Sequence, residues 1–384
     1  MSSPLRLLTV IGARPQIIKA AAMSRAIAGH AKGRIVETLL HTGQHYDANM
    51  SQVFFDELGI PAADINLNVG SGGHGAMTAR MIEGIEQVLL KKEHDVVLLY
   101  GDTNSTLAGA VAAAKLHVPV AHVEAGLRSF NKRMPEEVNR ITCDHCSTWL
   151  FCPTDTAVEN LRREGFTGQN DAKPSADHPH VVQCGDVMYD NSLYFASIAM
   201  QRSSILKEHG LEQNGFVLVT VHRDNNTDDP QRLNAIFRTL LDLHTRHGLA
   251  FVLPVHPRTR KMMDALLAVD VKEALKKSPR FLLVPPAGFL DMIALESAAR
   301  LVITDSGGVQ KEAYFFGKPG VVLRPETEWV ELVQKDQAVL ADADPARITE
   351  GVERFLRDGI PHVPPLFGDG HAADRICDEL LKSW

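Results

Sequence analysis

The sequence predicts an α/β protein made of two doubly wound parallel-sheet domains. Three observations point to this fold class: short β-branched runs alternate with longer helical stretches, the runs are apolar throughout, and the alternation restarts after a polar segment at 167–180. Apolar strands separated by helices are typical of a parallel sheet covered on both faces. A chain of 384 residues also exceeds one compact core and suits two domains.

Five strands are predicted in the first half of the chain. They are LRLLTVI (5–11), RIVETLLH (34–41), DVVLLY (95–100), VPVAHVE (118–124) and WLFC (149–152). Helical segments separate them, the clearest being QIIKAAAMSRAIA, MTARMIEGIEQVLLKK and NSTLAGAVAAAKL. The polar stretch 167–180 contains two prolines and indicates a surface insertion near a domain boundary.

The second half repeats the pattern. Its predicted strands are FVLVTVH (216–222), LAFVLPVH (249–256), FLLVP (281–285), LVITD (301–305) and GVVLR (320–324). We therefore expect a first domain over 1–179 and a second over 180–367. The last helix, within 368–384, is expected to pack back on the first domain.

Composition excludes several classes of function. Hydrophobic residues make up 45% and charged residues 23%, and the formal net charge of −7 argues against a general binder of nucleic acid or acidic membranes. The first apolar run is too short for a signal peptide, and no uncharged apolar run reaches membrane-spanning length. Five irregularly spaced cysteines indicate a reduced, cytoplasmic protein; Cys143 and Cys146 form a C-x-x-C without the second pair that zinc requires.

Candidate site residues follow the predicted strands. Ligands of doubly wound sheets bind at the carboxyl ends of the strands, which meet at one edge. The polar residues found there are Arg14, Asp102, Glu124, His222, His256 and Ser306.

The segment LVITDSGGVQKEAYFFGKPG predicts a strand, a tight turn at Ser306-Gly307-Gly308 and a helix. Glycines admit a ligand close to backbone N–H groups, and a helix start favours phosphate. Glu312, about one turn into the helix, is placed to accept from ribose hydroxyls. An ordinary strand-turn-helix with a serine cap explains the segment equally well. No Walker loop is present and no G-x-G-x-x-G follows the first strand, which argues against a dinucleotide cofactor.

Cations and histidines accompany the other strand ends. Arg14 and Lys19 begin the first helix and suit pyrophosphate oxygens, although exposed surface cations are the simpler interpretation. His222 and His256 each end a strand close to an arginine. A lone histidine is more often a packed residue, but two such histidines beside arginines favour a site for an anionic ligand. Neither has the spacing of a metal site.

Three carboxylates lie near these cations. Asp102 follows a buried strand and Glu124 ends one, while Glu136 begins a helix next to Glu137. A helix cap explains Asp102, and the helix macrodipole explains the acids at the helix start. Together, however, Asp102, Glu124 and Glu136 supply what proton transfer at a sugar carbon needs.

Several long motifs then occur in the order of one known family. GARP…K, HTGQH, GDTNSTLA, HVEAGLRS, PEEVNR and TDSGGVQKEA…GKP make the chain resemble the non-hydrolysing UDP-N-acetylglucosamine 2-epimerases along nearly its whole length. The resemblance implies a GT-B-like fold, in which two Rossmann-like doubly wound parallel-sheet domains face each other across a cleft. It also implies a homodimer.

The resemblance implies a reaction as well. UDP leaves the sugar with the C2 proton, a bound 2-acetamidoglucal forms, and re-addition inverts C2. No net redox change occurs, so neither a cofactor nor a metal is expected, and the ligand is a UDP-sugar. By position, Asp102, Glu124 and Glu136 match the catalytic acids. Other positions match residues of the family that hold or act on UDP. They are Arg14, Lys19 and His222 for the pyrophosphate, Ser306, Gly307 and Gly308 for phosphate, Glu312 for ribose, and Phe289 and Met292 for uracil.

Some positions depart from the common pattern. Gln16 stands where most members have glutamate, and Arg223 is followed by Asp224 where a second arginine is usual. These variants look more like the branch acting on UDP-2,3-diacetamido-2,3-dideoxy-glucuronate. If position 16 faces the sugar, a neutral Gln16 suits an acidic substrate.

Gln44 and His256 match residues that bind a second, activating substrate molecule in many members, although Asp47 and the GSGGHG segment argue against such regulation here. We expect UDP-N-acetylglucosamine as the substrate, with the diacetamido uronate as a close competitor. A GT-B glycosyltransferase and a catalytically silent nucleotide-sugar binding protein are the alternatives from other classes.

Overall fold

The computed structural model describes residues 3–43, 62–166 and 173–384. The chain divides into two compact units. Unit 1 comprises Met1–Asn191 together with Pro365–Trp384, and unit 2 comprises Ser192–Pro364. Helices and strands are numbered below in chain order over the described residues.

Unit 1 contains a seven-stranded parallel sheet in the order β3-β2-β1-β4-β5-β6-β7. Its strands are β1 (Leu5–Ile11), β2 (Ile35–His41), β3 (Ile65–Asn66), β4 (Val96–Tyr100), β5 (Val120–Val123), β6 (Trp149–Cys152) and β7 (His180–Gln183). Its helices are α1 (Arg14–Ala28), α2 (His74–Leu89), α3 (Asn104–Lys115), α4 (Pro135–Cys146), α5 (Asp155–Arg163) and, across the boundary between the units, α6 (Val187–Arg202).

Unit 2 contains a six-stranded parallel sheet in the order β10-β9-β8-β11-β12-β13. Its strands are β8 (Phe216–Thr220), β9 (Ala250–Pro254), β10 (Phe281–Val284), β11 (Leu301–Thr304), β12 (Gly320–Val322) and β13 (Ala338–Leu340). Its helices are α7 (Ile205–Glu208), α8 (Asp224–Thr227), α9 (Pro230–His247), α10 (Pro257–Leu266), α11 (Val269–Lys277), α12 (Phe289–Ala298), α13 (Gly307–Phe315), α14 (Val330–Gln334) and α15 (Pro345–Asp358). The last helix of the chain, α16 (Ala372–Lys382), belongs to unit 1.

The ten predicted strands are present, and their apolar runs form the two buried sheets. Three further strands, β3, β7 and β13, were not predicted because each has only two to four residues and lies at a sheet edge, where a fully apolar run is not required. Strand β7 pairs in parallel with β6. Residues 180–191, which the sequence analysis placed in the second domain, therefore lie in unit 1.

The chain terminus is fastened to unit 1 by polar contacts. The backbone N–H groups of Ala372 and Ala373 donate to the carboxylate of Asp190 at 3.1 and 2.8 Å. Further along, Asp378 contacts the ring of His30 at 2.8 Å. Helix α16 thus packs beside α1, and the chain returns to the unit in which it began.

Each sheet reverses its strand order once. In unit 1 the reversal lies between β1 and β4, and in unit 2 between β8 and β11. Helices that leave neighbouring strands at such a point cover opposite faces, which opens a crevice at the carboxyl ends. The turns after these four strands are therefore where bound ligands are expected. Within the described ranges no helix combines the length and apolarity needed to cross a membrane.

Candidate functional site

The turn from β1 into α1 is organised by a buried glutamine. Gln16 is only 2% exposed. Its Oε1 accepts from the backbone N–H groups of Gly12 and Ala13 at 2.9 and 3.2 Å, and its Nε2 donates to the carbonyl of Tyr100 and the hydroxyl of Thr106, both at 3.0 Å. Gln16 therefore fastens β1 to β4 beneath the strand ends. The hypothesis that it faces an acidic sugar fails, because all of these bonds point inward.

Lys19 and Glu124 form an ion pair at the end of the unit 1 sheet. Glu124 has a backbone φ of +74°, a left-handed conformation that is costly for a residue with a Cβ. The glycine next to this pair leaves room for it, since a Cβ on Gly101 would lie 3.2 Å from both the Glu124 carboxylate and the Lys19 ammonium. Arg14 lies exposed at the first position of α1, on the same edge.

Asp102 forms an ion pair with Arg140 of α4. Asn139, which precedes Arg140 in α4, donates its side-chain amide N–H to the backbone carbonyl of Asp102 at 2.9 Å. Burial lowers the pKa of Arg140, but the carboxylates of Asp102 and Glu124, among other acids, raise it above its ordinary value. Arg140 therefore stays charged and interacts electrostatically with Asp102 and Glu124, two of the three predicted catalytic acids.

The two acids at the start of α4 have different environments. Glu137 is 1% exposed and accepts from the backbone N–H groups of Ser129 and Phe130, both at 2.9 Å, and from Arg140 at 2.7 Å. Glu136 is exposed, and over the described part of the chain it makes no hydrogen bond or ion pair. Glu137 thus holds the preceding loop in place. Among the described residues no hydrogen bond or ion pair joins Glu136 to Asp102 or Glu124, and its catalytic role stays a prediction.

A buried histidine, His122, which the sequence analysis did not select, contacts the backbone of the turn that precedes Asp102. The two ring nitrogens of His122 contact the carboxylate of Asp144 at 2.7 Å and the carbonyl of Gly101 at 2.8 Å. Both partners are acceptors, so both nitrogens donate and the ring is an imidazolium. Burial acts to lower the pKa of His122, but Cys143 and Asp144 outweigh it and raise that pKa well above its ordinary value. The available signal was a histidine inside an otherwise apolar strand, two residues before Glu124.

In unit 2, the carboxylate of Asp305 accepts hydrogen bonds from residues that follow β8. This carboxylate is fully buried and accepts from the backbone N–H groups of His222 and Arg223 at 3.0 Å. It also accepts from the side chain of Asn226 at 3.2 Å and contacts the His222 ring at the same distance. The half-exposed ring of His222 is thereby fixed at the end of its strand. Sequence reasoning had placed Asp305 at a strand end without a role.

The Ser306-Gly307-Gly308 turn begins α13, with Ser306 as the N-cap. A Cβ on Gly307 would lie 2.4 Å from the Glu328 carboxylate, which pairs with Arg324 at 2.9 Å. A Cβ on Gly308 would meet no atom nearer than 3.8 Å, and this residue is exposed. A side chain at position 307 would displace the Glu328 carboxylate, whereas Gly308 leaves the helix start open to an anion. The pair of Arg324 and Glu328 was missed, because no spacing links it to the turn.

The remaining predicted binding residues are placed as follows. Phe289 begins α12, is 9% exposed and packs edge to face on Phe195 with ring centroids 5.1 Å apart. Met292 and Glu312 are partly buried on α12 and α13. Their nucleotide contacts stay predictions, and the position of Phe289 also agrees with a helix-core role.

Of the two residues predicted to bind a second substrate molecule, the structure describes only His256. Gln44 lies outside the described residues. His256 is exposed at the start of α10, where its Nδ1 accepts from the backbone N–H of Arg258 at 3.3 Å. In the three described ranges no group of three His, Cys, Asp or Glu side chains is placed to hold a metal ion.

Known proteins resemble this chain over nearly its whole length. Residues 28–381 match the family described as UDP-N-acetylglucosamine 2-epimerase. The UDP-2,3-diacetamido-2,3-dideoxy-D-glucuronate 2-epimerase of Pseudomonas aeruginosa is 48% identical over 98% of this chain and 100% of its own length. The UDP-N-acetylglucosamine 2-epimerase of Methanocaldococcus jannaschii is 37% identical over 97% of this chain and 98% of its own.

A solved structure matches the fold. The crystal structure of the Methanocaldococcus jannaschii UDP-GlcNAc 2-epimerase in complex with UDP-GlcNAc and UDP has a TM-score of 0.82 and 36% identity. The match covers 98% of this chain and 100% of that one. The predicted fold class, two parallel-sheet α/β domains of the GT-B-like kind, is confirmed.

Proposed function

This chain belongs to the UDP-N-acetylglucosamine 2-epimerase family and is an isomerase, and we propose that it inverts C2 of a UDP-linked 2-acetamido sugar by eliminating and re-adding UDP. The observation that carries the proposal is the arrangement at the end of the unit 1 sheet. Two carboxylates lie there, each with its own cation: Glu124 with Lys19, and Asp102 with Arg140.

The chemistry explains why such an arrangement is needed. The C2 hydrogen has no adjacent carbonyl, so direct removal of that proton is very unfavourable. The C1–O bond therefore breaks first, its electron pair leaves with UDP, and positive charge develops on the ring. A carboxylate then takes the C2 proton, which leaves 2-acetamidoglucal and UDP. In the reverse sequence a carboxyl group protonates C2 on the other face, and a UDP oxygen rejoins C1.

The residues of unit 1 support the sugar half of this reaction. Lys19 and Arg140 hold the side chains of Glu124 and Asp102 at the strand ends, where a carboxylate can accept a proton and stabilise a positive ring. Glu136 is the third proposed acid, exposed and without a competing partner among the described residues.

The residues of unit 2 support the leaving group. Backbone N–H groups at the Ser306–Gly308 turn and the ring of His222 are the proposed ligands of the departing pyrophosphate, with Arg14 of unit 1 as a further cation. Glu312 is proposed to hold the ribose, and Phe289 and Met292 the uracil. These groups would stabilise the negative charge that develops on UDP as it departs, which lowers the barrier to breaking the C1–O bond.

Two substrates are candidates. UDP-N-acetylglucosamine is the sugar named by the family, and the diacetamido uronate is favoured by the 48% identity of the Pseudomonas aeruginosa enzyme, compared with 37% for the Methanocaldococcus jannaschii one. Both sugars carry the acetamido group at C2, and the uronate adds a carboxylate and a second acetamido group. The proposed mechanism applies to both.

Proton NMR in D2O with each UDP-sugar tests the function. An epimerase places deuterium at C2 of the product without an acceptor. Asp102→Asn and Glu124→Gln should each lower that exchange by about a hundredfold or more, which is the scale of a lost general acid or base. UDP release only in the presence of an acceptor, or no exchange with either sugar, would contradict the proposal.

We also propose that the enzyme works as a homodimer in the cytoplasm. The family resemblance supports the first statement, and the five free cysteines support a reducing compartment. Sedimentation equilibrium of the purified chain tests the dimer, and a monomer at assay concentration would contradict it.

A further inference from the structure

The turns that carry Asp102 and Glu124 are joined by one buried pair of side chains. His122 lies in β5 and Asp144 in α4, and the side chain of each is 0% exposed. One ring nitrogen of His122 contacts a carboxylate oxygen of Asp144 at 2.7 Å. Desolvation offsets most of the attraction within a buried ion pair, so stability alone does not explain why these two side chains are there.

Each member of the pair also holds the backbone of one turn. The other ring nitrogen of His122 donates to the carbonyl of Gly101, in the turn after β4, at 2.8 Å. The other oxygen of Asp144 accepts from the backbone N–H of Gly126, in the turn after β5, at 3.2 Å. Hydrogen bonds therefore run without a break from one turn to the other through the two side chains.

These bonds matter because both turns contain left-handed backbone, with φ of +60° at Gly101, +74° at Glu124 and +78° at Gly126. Such a conformation is costly for a residue with a Cβ, so Glu124 keeps it only because surrounding contacts hold the turn. Lys19 reaches Glu124 on a flexible four-carbon side chain. That ion pair holds the carboxylate without fixing the backbone from which it extends.

The outer end of the same network lies away from both turns. The Asp144 oxygen that holds Gly126 also accepts from Arg128 at 2.7 Å. Arg128 in turn donates twice to the partly exposed carboxylate of Glu164, at 2.7 and 2.6 Å. A change at Glu164 therefore loosens the network and leaves both turn contacts in place.

We propose that His122 and Asp144 are positioning residues for the epimerase reaction: their hydrogen bonds to the two turns set the distance between the proposed catalytic acids. The inference rests on the proposed function, which places Asp102 and Glu124 among the groups that move the C2 proton. That proton leaves one face of the ring carbon and is returned on the other face, so the acids must lie at a fixed distance from each other. With an acid out of place, 2-acetamidoglucal is not reprotonated and is released together with UDP.

Two substitutions of His122 separate positioning from simple stabilisation, because each removes one of its two hydrogen bonds. The amide nitrogen of glutamine takes the place of Nε2 and keeps a donor for Gly101, whereas that of asparagine takes the place of Nδ1 and donates only to Asp144. Both variants should lose similar stability in urea unfolding. His122→Asn should lower kcat for C2 deuterium exchange on the order of a hundredfold, the scale of a displacement of about 1 Å, and His122→Gln about tenfold or less.

Binding and product analysis complete the test. Calorimetric affinity for UDP and the KM of the UDP-sugar should stay unchanged in both variants, because His122 is not a proposed ligand of UDP. Proton NMR should detect free 2-acetamidoglucal and UDP with His122→Asn. Glu164→Gln is the matched control and should keep the wild-type kcat without releasing the glucal. Equal kcat losses in the two His122 variants, or a loss that UDP affinity shares, would overturn the positioning role.

The outcomes also distinguish this inference from the proposed function. If the wild type exchanges C2 and His122→Asn keeps its kcat, the positioning role alone fails. If the wild type exchanges C2 of neither sugar, the proposed function fails and the inference fails with it.

Should His122→Asn not fold, Asp144→Asn decides the matter. Its amide can donate to the ring, whose other nitrogen still donates to Gly101, and its oxygen can still accept from Gly126. It should therefore keep kcat within about tenfold of the wild type, and a loss of about a hundredfold in the folded variant would overturn the role.

Discussion

Gly126, two residues after Glu124, allows a direct test of how the fold positions that acid. Its φ is +78°, and an added Cβ would lie 2.4 Å from the backbone carbonyl oxygen of Ala157 in α5. Gly33 is a matched control, because its φ is +76° and a Cβ there would meet nothing within 4 Å. The two alanine variants therefore share the conformational penalty and differ in the clash.

The expected magnitudes follow from these two terms. A left-handed backbone costs an alanine about 1–2 kcal/mol, and this is the whole effect expected for Gly33→Ala. Forcing a methyl group against a fixed backbone adds about 1–3 kcal/mol for Gly126→Ala. For a unit of about 200 residues, each kcal/mol lowers the melting temperature by roughly 2–4 °C. Displacement of the turn by about 1 Å should also lower kcat on the order of a hundredfold.

Thermal unfolding and the C2 exchange assay together measure the two effects. Gly33→Ala should lose a few degrees and keep full activity at low temperature. Gly126→Ala should lose more stability and most of its activity, even where it remains folded. Equal stability of the two variants, or a fully active Gly126→Ala, would refute the reasoning that packing against α5 fixes the Glu124 turn.

Three further predictions concern the same unit. Gln16→Glu should cost about 1–3 kcal/mol in urea unfolding, because a carboxylate would face the Tyr100 carbonyl, and it should leave the preference between the two sugars unchanged; a switch in preference would contradict the buried role. The pKa of His122 is raised in the folded state, so the stabilising contribution of its charge is complete below about pH 6.5 and is lost as the pH rises through the raised value. His122→Gln should therefore flatten the decline of the unfolding free energy at alkaline pH. An unchanged decline in the variant would contradict the raised pKa of His122. Glu136→Gln should lower kcat without lowering stability, whereas Glu137→Gln should cost about 2 kcal/mol of stability, and reversed outcomes would show that the two roles are interchanged.

Much of the candidate site was predictable because strand ends are local features. An apolar run ends where a polar residue follows it, and this alone marked Asp102, Glu124 and His222. It did not separate Glu136 from Glu137, since both begin the same helix. The difference arises because the N–H groups of a preceding loop fold over Glu137 only.

Other features had no sequence signal at all. The pairing of Asp102 with Arg140 joins the turn after β4 to the middle of α4, and the bonds of Gln16 reach another strand. Spacing along the chain carries no information about such contacts.

The amino-acid sequence by itself determined the fold class, the residues that follow the strands and the family, because periodicity, strand ends and ordered motifs are properties of short segments. Only the tertiary structure decided which cation pairs with which carboxylate and which of two adjacent acids is buried. Charge and burial depend on neighbours in space, and those neighbours come from distant parts of the chain.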